Sequence, residues 1–438
     1  MNISSQEIQS DAMQYDTLVI GGGIAGEEAS LSLANMGFRV LLVEKDYSIG
    51  GKMIHLSKVF PTLDCSACIS TPKMSETDRH PNITVMTYCE VRDLTRGENL
   101  YSGTVIKKPR YVIEEDCTGC QLCEEACPVN VKDQYQYDLV GRKAVYIPFS
   151  VASPRIAVID IENCTLCGAC EKACPADAID FTQKERPVPI EVRSVIIATG
   201  YRLFDAATKK QYGFGTFKNV VHSMHMERQL VPTRPFNTVL RPGDGKMPDN
   251  IAYILCAGSR DHTMGNPLCS QVCCMYSIKQ AQLLMGALPM ADVTIYYMDI
   301  RAFGKGYQEF YEQSRGMGIE FVKSRVARIT EIENGDLELH YEDIENGGKP
   351  VTAEHDLVVL SVGLLPNISF GDAFNSLKPQ MNEFNYVQAD DELASPSQTS
   401  MQGVFVAGTA TGPMDIPDTI LSAGNASAET AAYLKRMP

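Results

Sequence analysis

Short apolar runs that end in small residues punctuate this chain, and they predict an α/β fold. They read DTLVI (16–20), VIIATG (195–200), IAYIL (251–255), LVVLSVG (357–363) and GVFVAGTATG (403–412). Continuous apolar runs of this length are typical of strands buried on both faces of a parallel sheet. The segments EEASLSLANMG, MYSIKQAQLLMGAL and IPDTILSAGNASAETAAYL follow three of these runs and have helical character. The pattern therefore predicts strands and helices in alternation.

The turn after the first strand matches a dinucleotide-binding fingerprint. GGGIAG (21–26) places glycine at Gly21, Gly23 and Gly26, and a helix and a second strand ending in Glu44 follow. The glycines permit a tight turn and close approach of a pyrophosphate to the helix N-terminus, and the acid can accept hydrogen bonds from ribose hydroxyls. With strand, helix and acid all in place, we interpret this region as a nucleotide site rather than a plain turn.

Two cysteine runs in the first half of the chain repeat one pattern. CTGCQLCEEAC (117–127) and CTLCGACEKAC (164–174) are each followed by proline, which gives C-x2-C-x2-C-x3-C-P twice. In such pairs the fourth cysteine of each run ligates the other [4Fe–4S] cluster. One predicted set is Cys117, Cys120, Cys123 and Cys174; the other is Cys164, Cys167, Cys170 and Cys127. Zinc is the competing interpretation, but zinc sites rarely use two such runs.

A third cysteine group follows the strand IAYIL, in the place where a second nucleotide-binding domain normally carries its glycine-rich loop. No G-x-G-x-x-G occurs there, and the group consists of Cys256, Cys269, Cys273 and Cys274. Four converging thiolates suit an iron–sulfur cluster. Buried free cysteines are the alternative, because Cys is common in protein cores.

Three cysteines lie outside these sets. Cys65 and Cys68 form a C-x-x-C, which can be half of a cluster site, a redox dithiol or a structural pair, and Cys89 lies alone in a predicted strand. A fourth cluster that uses these residues and another ligand stays open.

Composition narrows the class of protein. The net charge of −15 argues against nonspecific nucleic-acid binding. No apolar run approaches the roughly 20 residues that a membrane helix needs, and the polar first residues lack the features of a signal peptide. Fifteen cysteines in a chain without such a signal indicate metal or redox chemistry rather than disulfides. We therefore expect a soluble, cytoplasmic protein with no membrane span.

The motifs divide the chain into a segmented arrangement, in which the cysteine-rich module interrupts the first nucleotide-binding domain. The predicted fold class is α/β, with two Rossmann-like domains and an inserted α+β bacterial-type 2[4Fe–4S] ferredoxin domain. The predicted parts are a disordered N-terminus (1–14), a first domain in three pieces (15–110, 185–248 with the crossover, and 362–438), the insert (111–184) and the second Rossmann-like domain (249–361).

From about Tyr15 to Leu434 the sequence resembles the A subunit of heterodisulfide reductase, from electron-bifurcating complexes of anaerobes. The motifs that carry the resemblance are GGGIAG, GGKM, FPTLDCSACISTPKM, the two ferredoxin runs, CAGSRD, NPLCSQVCCMYSIKQA, YMDIRAFGKGYQEFY and GTATGPMDIPDT. The resemblance implies a thioredoxin-reductase-like flavoprotein core with FAD, three [4Fe–4S] clusters and the cysteines of 256–274 as ligands. It departs from the larger members in lacking their extra N-terminal domain and their second ferredoxin domain.

The resemblance also implies the residues that meet FAD. Lys279 is matched to a lysine that faces the flavin, where a cation can tune its reduced forms. Val91 is expected to offer its backbone to the adenine. The remaining implied cofactor residues are Gly21, Gly23, Ala25, Gly26, Glu44, Lys45, Gly51, Lys52, Ala198, Thr199, Gly200, Gly408, Thr409, Ile416, Pro417 and Thr419.

The function implied by the resemblance is flavin-based electron bifurcation between a donor, ferredoxin and a disulfide-reducing partner protein of the same complex. The expected partners are the other subunits of such a complex, ferredoxin and a hydrogenase or dehydrogenase, with a homodimer inside the larger assembly. Two alternatives remain at this stage. One is an NAD(P)H-dependent FAD/iron–sulfur reductase resembling the glutamate synthase small subunit, which the missing second glycine loop argues against. The other is a non-bifurcating electron relay.

Overall fold

The structure is a computed structural model, and it describes residues 12–375 and 378–437. Before the cysteine-rich segment the elements are β1 (Met13–Ile20), α1 (Ile24–Asn35), β2 (Val40–Val43), α2 (Ser66–Arg79), β3 (Ile83–Met86), β4 (Cys89–Arg96) and β5 (Tyr101–Lys107). The cysteine-rich segment contains α3 (Leu122–Ala126), β6 (Asn130–Lys132), β7 (Gly141–Lys143), β8 (Val145–Tyr146), β9 (Val158–Ile159) and α4 (Ala169–Ala173).

The rest of the chain forms the second sheet and returns to the first. Its elements are β10 (Arg186–Ile197), β11 (Tyr201–Leu203), β12 (Val220–His222), α5 (Ser223–Leu230), β13 (Asn250–Ala257), α6 (Cys273–Ala287), β14 (Asp292–Tyr297), α7 (Tyr307–Gly316), β15 (Glu320–Glu331), β16 (Leu337–Asp343), β17 (Lys349–His355), β18 (Leu357–Val362), β19 (Leu364–Pro366), β20 (Ala389–Asp391), β21 (Ser395–Thr399), β22 (Val404–Val406) and α8 (Ile416–Arg436).

The first sheet has a parallel centre in the order β3–β2–β1–β10–β22, with β21 and β20 added antiparallel beyond β22 and the β4–β5 pair attached to β10. Alternate residues of β1 enter different cores, since Leu18 packs on one face of the sheet and Val19 on the other. This burial on both faces is why the predicted strands read as continuous apolar runs.

Strand β1 begins earlier than predicted. The expectation of a disordered segment over 1–14 is wrong for Met13 and Gln14, which pair with Ile190 and Glu191 of β10. The polar, exposed character of these two residues hid the beginning of the strand, because pairing satisfies their backbone without burying their side chains. Residues 1–11 of the predicted segment lie outside the described residues.

The second sheet has the order β12–β18–β13–β14–β15–β16–β17, parallel from β12 to β15 and completed by the antiparallel hairpin β16–β17. Its first strand corrects the predicted domain boundary at 249. Strand β12 pairs with β18, so part of the segment 185–248 belongs to the second unit. The three-residue pairing of β12 is too short to recognise in the sequence. Between the two sheets, β11 and β19 pair antiparallel as the chain crosses in both directions.

The cysteine-rich segment leaves the first sheet after β5 and returns at β10, two strands that pair with each other. It contains its own apolar core and two antiparallel strand pairs, β6–β7 and β8–β9. It packs on the first unit near residues 48–55, where the Tyr135 hydroxyl donates to the Ile54 carbonyl (3.1 Å) and the Ile49 N–H donates to the Ser153 carbonyl (3.0 Å). Among the described residues, no helix is both long and apolar enough to cross a membrane.

Candidate functional site

A large cavity lies where the first sheet, the crossing strands and helices α5, α6 and α8 meet, and its volume is about 850 Å³. Its lining contains the following predicted cofactor residues: Gly21, Gly23, Ala25, Glu44, Lys45, Gly51, Lys52, Val91, Ala198, Thr199, Gly200, Lys279, Thr409, Ile416 and Thr419. These residues come from distant parts of the sequence. The fold therefore gathers most of the predicted set around one space of a size suited to a cofactor.

The glycines of the first turn are required by close backbone contacts. A Cβ on Gly21 would lie 2.4 Å from the Ala198 carbonyl oxygen, and the φ of Gly21 is +109°. A Cβ on Gly51 would lie 2.8 Å from the Gly23 Cα. These contacts keep this end of the cavity lined by backbone, so a pyrophosphate can approach it closely, as the fingerprint predicts.

Three predicted cofactor residues do not line the cavity, which corrects their expected role. Gly26 serves helix packing, because a Cβ there would lie 1.8 Å from the Gly21 carbonyl oxygen. Gly408, with φ +63°, packs against the Ala25 side chain, and Pro417 is exposed in the first turn of α8. The motif positions were recognised correctly, but motif membership does not separate a residue that touches a ligand from one that fixes the backbone behind it.

Glu44 is held by backbone donors at the end of β2. Its carboxylate accepts the N–H groups of Gly22 (2.6 Å) and Asp46 (2.8 Å). Burial raises the pKa of Glu44 to about 7, and these hydrogen bonds oppose that shift. The carboxylate is thus fixed at the cavity wall, in the position that the fingerprint predicts.

Lys279 lies on α6 and forms a buried ion pair that the sequence did not reveal. Its ammonium group contacts Glu227 of α5 and donates to the Lys58 carbonyl (2.9 Å), and both charged side chains are 1 % exposed. Burial lowers the pKa of Lys279, and the carboxylate opposes that shift. The attraction of Lys279 holds the pKa of Glu227 below its usual value against the effect of burial. All three residues line the cavity.

Glu227 is further tied by neutral donors. It accepts the N–H and hydroxyl of Ser57 (2.7 Å each) and the Gln280 side-chain amide (2.6 Å). A buried charge that is paired and hydrogen-bonded in this way has a fixed position. Sequence reasoning missed Glu227 because it belongs to no motif and lies 52 residues from Lys279. Its occurrence in a helix in which most residues are buried was the one available signal.

The two predicted ferredoxin sets each line one small cavity. Cys117, Cys120, Cys123 and Cys174 surround the first, and Cys127, Cys164, Cys167 and Cys170 surround the second. The fourth cysteine of each run therefore joins the other run, as the spacing predicts. In residues 12–375 and 378–437, no three His, Cys, Asp or Glu side chains lie close enough to hold a single metal ion.

The third cysteine group converges between β13 and α6. Cys256 ends the strand with φ +58°, whereas Cys273 and Cys274 begin the helix. Burial raises the pKa of Cys274 to about 12, and repulsion from Cys256 and Cys269 adds to this effect, so the thiols lie within electrostatic reach of one another. Metal coordination is what makes such buried thiols deprotonated ligands.

This third group borders the large cavity. The Cys273 thiol lies 3.8 Å from the Val362 carbonyl oxygen, which also accepts the Tyr276 hydroxyl (2.9 Å). Val362 and Tyr276 both line the cavity. A group bound by these cysteines would therefore lie behind a single layer of residues from a group in the cavity.

Cys65 and Cys68 are joined in a disulfide, and Cys89 is a buried thiol on another element, β4. The possible fourth cluster of these three residues is therefore not supported by their arrangement.

Comparison with known proteins agrees with this geometry. Residues 15–430 match the family described as pyridine nucleotide-disulphide oxidoreductase. The chain belongs to that family. Thioredoxin reductases from Lactococcus lactis (13 % identity, TM-score 0.54, covering 97 % of this chain and 100 % of theirs) and T. acidophilum (14 %, 0.54, 96 % and 98 %) have a similar fold. The predicted thioredoxin-reductase-like Rossmann architecture is confirmed.

Curated relatives confirm the resemblance to the A subunits of heterodisulfide reductases. The second of two A-type iron–sulfur subunits of CoB–CoM heterodisulfide reductase from Methanopyrus kandleri is 46 % identical over 95 % of this chain. The A subunit of the H2:CoB–CoM heterodisulfide,ferredoxin reductase from Methanothermobacter marburgensis is 42 % identical over 94 %. The chain spans 64 % and 63 % of the length of these two relatives.

Proposed function

We propose that this chain is the FAD- and iron–sulfur-containing electron-transfer subunit of a heterodisulfide-reductase-type complex. One observation carries the proposal: a cavity with a glycine-rich turn at one end borders, through Val362 and Tyr276, a convergence of four cysteines. The cysteine-rich insert packs against residues that lead into the same cavity. This arrangement supports a chain of redox groups within one protein.

The residues of the cavity fit FAD. Gly21, Gly23 and Gly51 supply the open backbone that a pyrophosphate needs, and Glu44 and Lys52 supply polar groups beside it. Val91 is the proposed backbone partner of the adenine. When bound, a flavin takes up electrons as a pair and releases them singly. The close contacts of Gly26 and Gly408 hold α1 and the 408 turn in place around the site.

Lys279 is the proposed partner of the flavin ring. It is the cationic side chain that α6 directs into the cavity, and its burial prevents water from screening its charge. Glu227 fixes the ammonium group and keeps it protonated, which makes Glu227 a positioning residue. A fixed cation favours negative charge on a neighbouring group, so this pair would raise the tendency of the site to accept electrons.

Twelve cysteines are the proposed ligands of three [4Fe–4S] clusters. The insert would hold two of them, as a 2[4Fe–4S] ferredoxin domain, through the sets that line its two cavities. Cys256, Cys269, Cys273 and Cys274 would hold the third. The position of that set beside Val362 makes it the proposed neighbour of the flavin.

We infer that the assembled complex divides the electron pair of a donor between two acceptors. The proposed routes lead to ferredoxin through the insert, and to a partner protein of the complex that reduces a disulfide. The relative from Methanothermobacter marburgensis is named for both a heterodisulfide and ferredoxin. A hydrogenase or dehydrogenase is the proposed donor, and a homodimer within the complex is the proposed assembly.

Reduction with defined donors tests this proposal. Reduced ferredoxin should bleach the flavin absorbance of the anaerobic protein, whereas NADH and NADPH should not, because cysteines occupy the β13–α6 connection where the fold normally binds NAD(P). A chain with Cys256→Ser should retain FAD and still fail to react with NAD(P)H. Rapid bleaching by NADPH would instead favour an NAD(P)H-dependent FAD/iron–sulfur reductase.

A further inference from the structure

The Cys65–Cys68 disulfide is outside the three cysteine sets and lies at the beginning of α2. Cys65 is the N-cap residue of the helix, and its sulfur accepts the N–H of Cys68 (3.2 Å). The two Cα atoms are 5.2 Å apart. Cys68 is exposed and Cys65 is half-buried, so solvent and small thiols can reach the disulfide.

The segment that carries the disulfide also forms part of the wall of the large cavity. Cys65 pairs with Lys58 in an antiparallel bridge, and the Lys58 carbonyl accepts the ammonium group of Lys279 (2.9 Å). One residue to either side, the N–H of Ser66 donates to the Ser57 carbonyl (3.4 Å), and Ser57 itself donates twice to Glu227. The two arms of the loop 57–66 therefore connect the disulfide with the buried ion pair.

The disulfide contributes little as a cross-link. It closes a loop of only three residue steps, and the stabilisation from loop closure is smallest for short loops. The loop before it is already held by hydrogen bonds from the Val59 N–H to the Asp64 carbonyl (2.9 Å) and from the Lys58 ammonium group to the Leu63 carbonyl (2.7 Å). A C-x-x-C at a helix N-terminus is, however, the arrangement that favours reactive thiols.

We propose that Cys65 and Cys68 are a redox-active dithiol–disulfide pair that exchanges two electrons with the flavin cavity on one side and with a dithiol in solvent on the other. On reduction the sulfur–sulfur bond breaks, and two electrons and two protons convert it into two thiols. Reduced flavin supplies both and becomes oxidised, or an external dithiol supplies both and becomes a disulfide. The flavin side rests on the proposed function, whereas the solvent side does not.

The solvent side is tested by equilibrating the purified full chain, without oxygen, in buffers of reduced and oxidised dithiothreitol and trapping thiols with N-ethylmaleimide. Trypsin releases peptide 59–73, which contains Cys65 and Cys68 and no other cysteine. The peptide should carry either no label or two labels, with one transition as the buffer becomes more reducing. A peptide that stays unlabelled in every buffer would overturn the proposal, because the disulfide would then be inert.

Substitutions separate this role from metal binding. Cys65→Ser retains an oxygen that can accept the Cys68 N–H, and Cys68→Ala retains the sulfur cap, so the two variants lose the disulfide but differ in the cap. Neither should change the iron content of the anaerobically purified protein. A loss of about four irons per chain in both would contradict the proposal and make the pair cluster ligands.

The flavin side is tested by anaerobic titration with dithionite in samples with matched iron and FAD content. The wild-type chain should take up two electrons more than either single variant before the flavin is fully reduced. Equal uptake would refute the exchange with flavin, even where the maleimide transition is present. Absence of FAD from the purified protein would instead count against the proposed function and leave the maleimide result standing.

Discussion

Replacing Glu227 with glutamine is the sharpest test of how the buried ion pair works. The substitution keeps the size of the side chain but removes the charge that faces Lys279. It also leaves one acceptor oxygen where Ser57, Gln280 and Lys279 now donate to two. The ammonium group would stay buried at 1 % exposure without a counter-charge.

The expected cost follows from the burial of both partners. Removing one member of a buried pair costs about 3–5 kcal/mol of the free energy of unfolding. With an unfolding entropy of about 2 cal/mol/K per residue, a chain of 438 residues loses roughly 1 °C in Tm per kcal/mol. We therefore expect Glu227→Gln to lower the Tm by about 3–5 °C at pH 7.

The loss should also depend on pH. Burial lowers the pKa of Lys279, and without Glu227 nothing opposes that shift. The folded variant then binds fewer protons than the unfolded chain below the ordinary lysine pKa of about 10.4, so its stability rises with pH. The Tm difference from the wild type should therefore narrow between pH 7 and pH 10.

Thermal unfolding followed by circular dichroism measures this prediction. Ser57→Ala is the matched control, since it removes a hydrogen bond to the same carboxylate without removing charge and should cost about 1 kcal/mol with no added pH dependence. The double variant Glu227→Gln/Lys279→Met should be more stable than Glu227→Gln alone. A pH-independent loss that the second substitution does not relieve would refute the reasoning.

Further predictions concern the first nucleotide turn and a buried acid. Gly26→Ala should abolish FAD retention, measured from absorbance after gel filtration, because its Cβ would lie 1.8 Å from the Gly21 carbonyl oxygen; Gly424→Ala in α8, where a Cβ meets nothing within 4 Å, should retain FAD and refutes the packing argument if it does not. Burial raises the pKa of Glu27 to about 8, and both its carboxylate oxygens lack a hydrogen-bond partner in the described part of the chain. Its contribution to stability is thus present below the ordinary carboxyl pKa and is lost as the pH rises to about 8. Glu27→Gln should flatten the Tm profile between pH 5 and pH 8, and an unchanged slope would contradict this assignment.

The parts of the fold that follow local rules were predictable from the sequence. The turn at Gly21 was recognised because only glycine permits its φ of +109°, and the buried parallel strands were recognised from their apolar runs. The exchange of Cys127 and Cys174 between the two ferredoxin sets was predictable from spacing alone, since the ligand pattern fixes which cysteines converge.

The features that were missed depend on tertiary contacts. Strand β12 belongs to the second sheet because of its pairing with β18, which lies far along the chain. Glu227 and Lys279 meet because α5 packs against α6, and no local pattern records that contact. Gly26 and Gly408 were assigned to the cofactor because the motif names them, whereas their Cβ positions are blocked by neighbouring protein atoms.

Iron, acid-labile sulfide and FAD analysis of the anaerobically purified chain tests the central claim most directly. Three [4Fe–4S] clusters and one flavin require about twelve irons and one FAD per chain, and Cys256→Ser should lower the iron to about eight, whereas Cys89→Ser should leave it unchanged. A wild-type content near eight irons that Cys256→Ser does not alter would contradict the account, because the cysteines beside the large cavity would then hold no cluster.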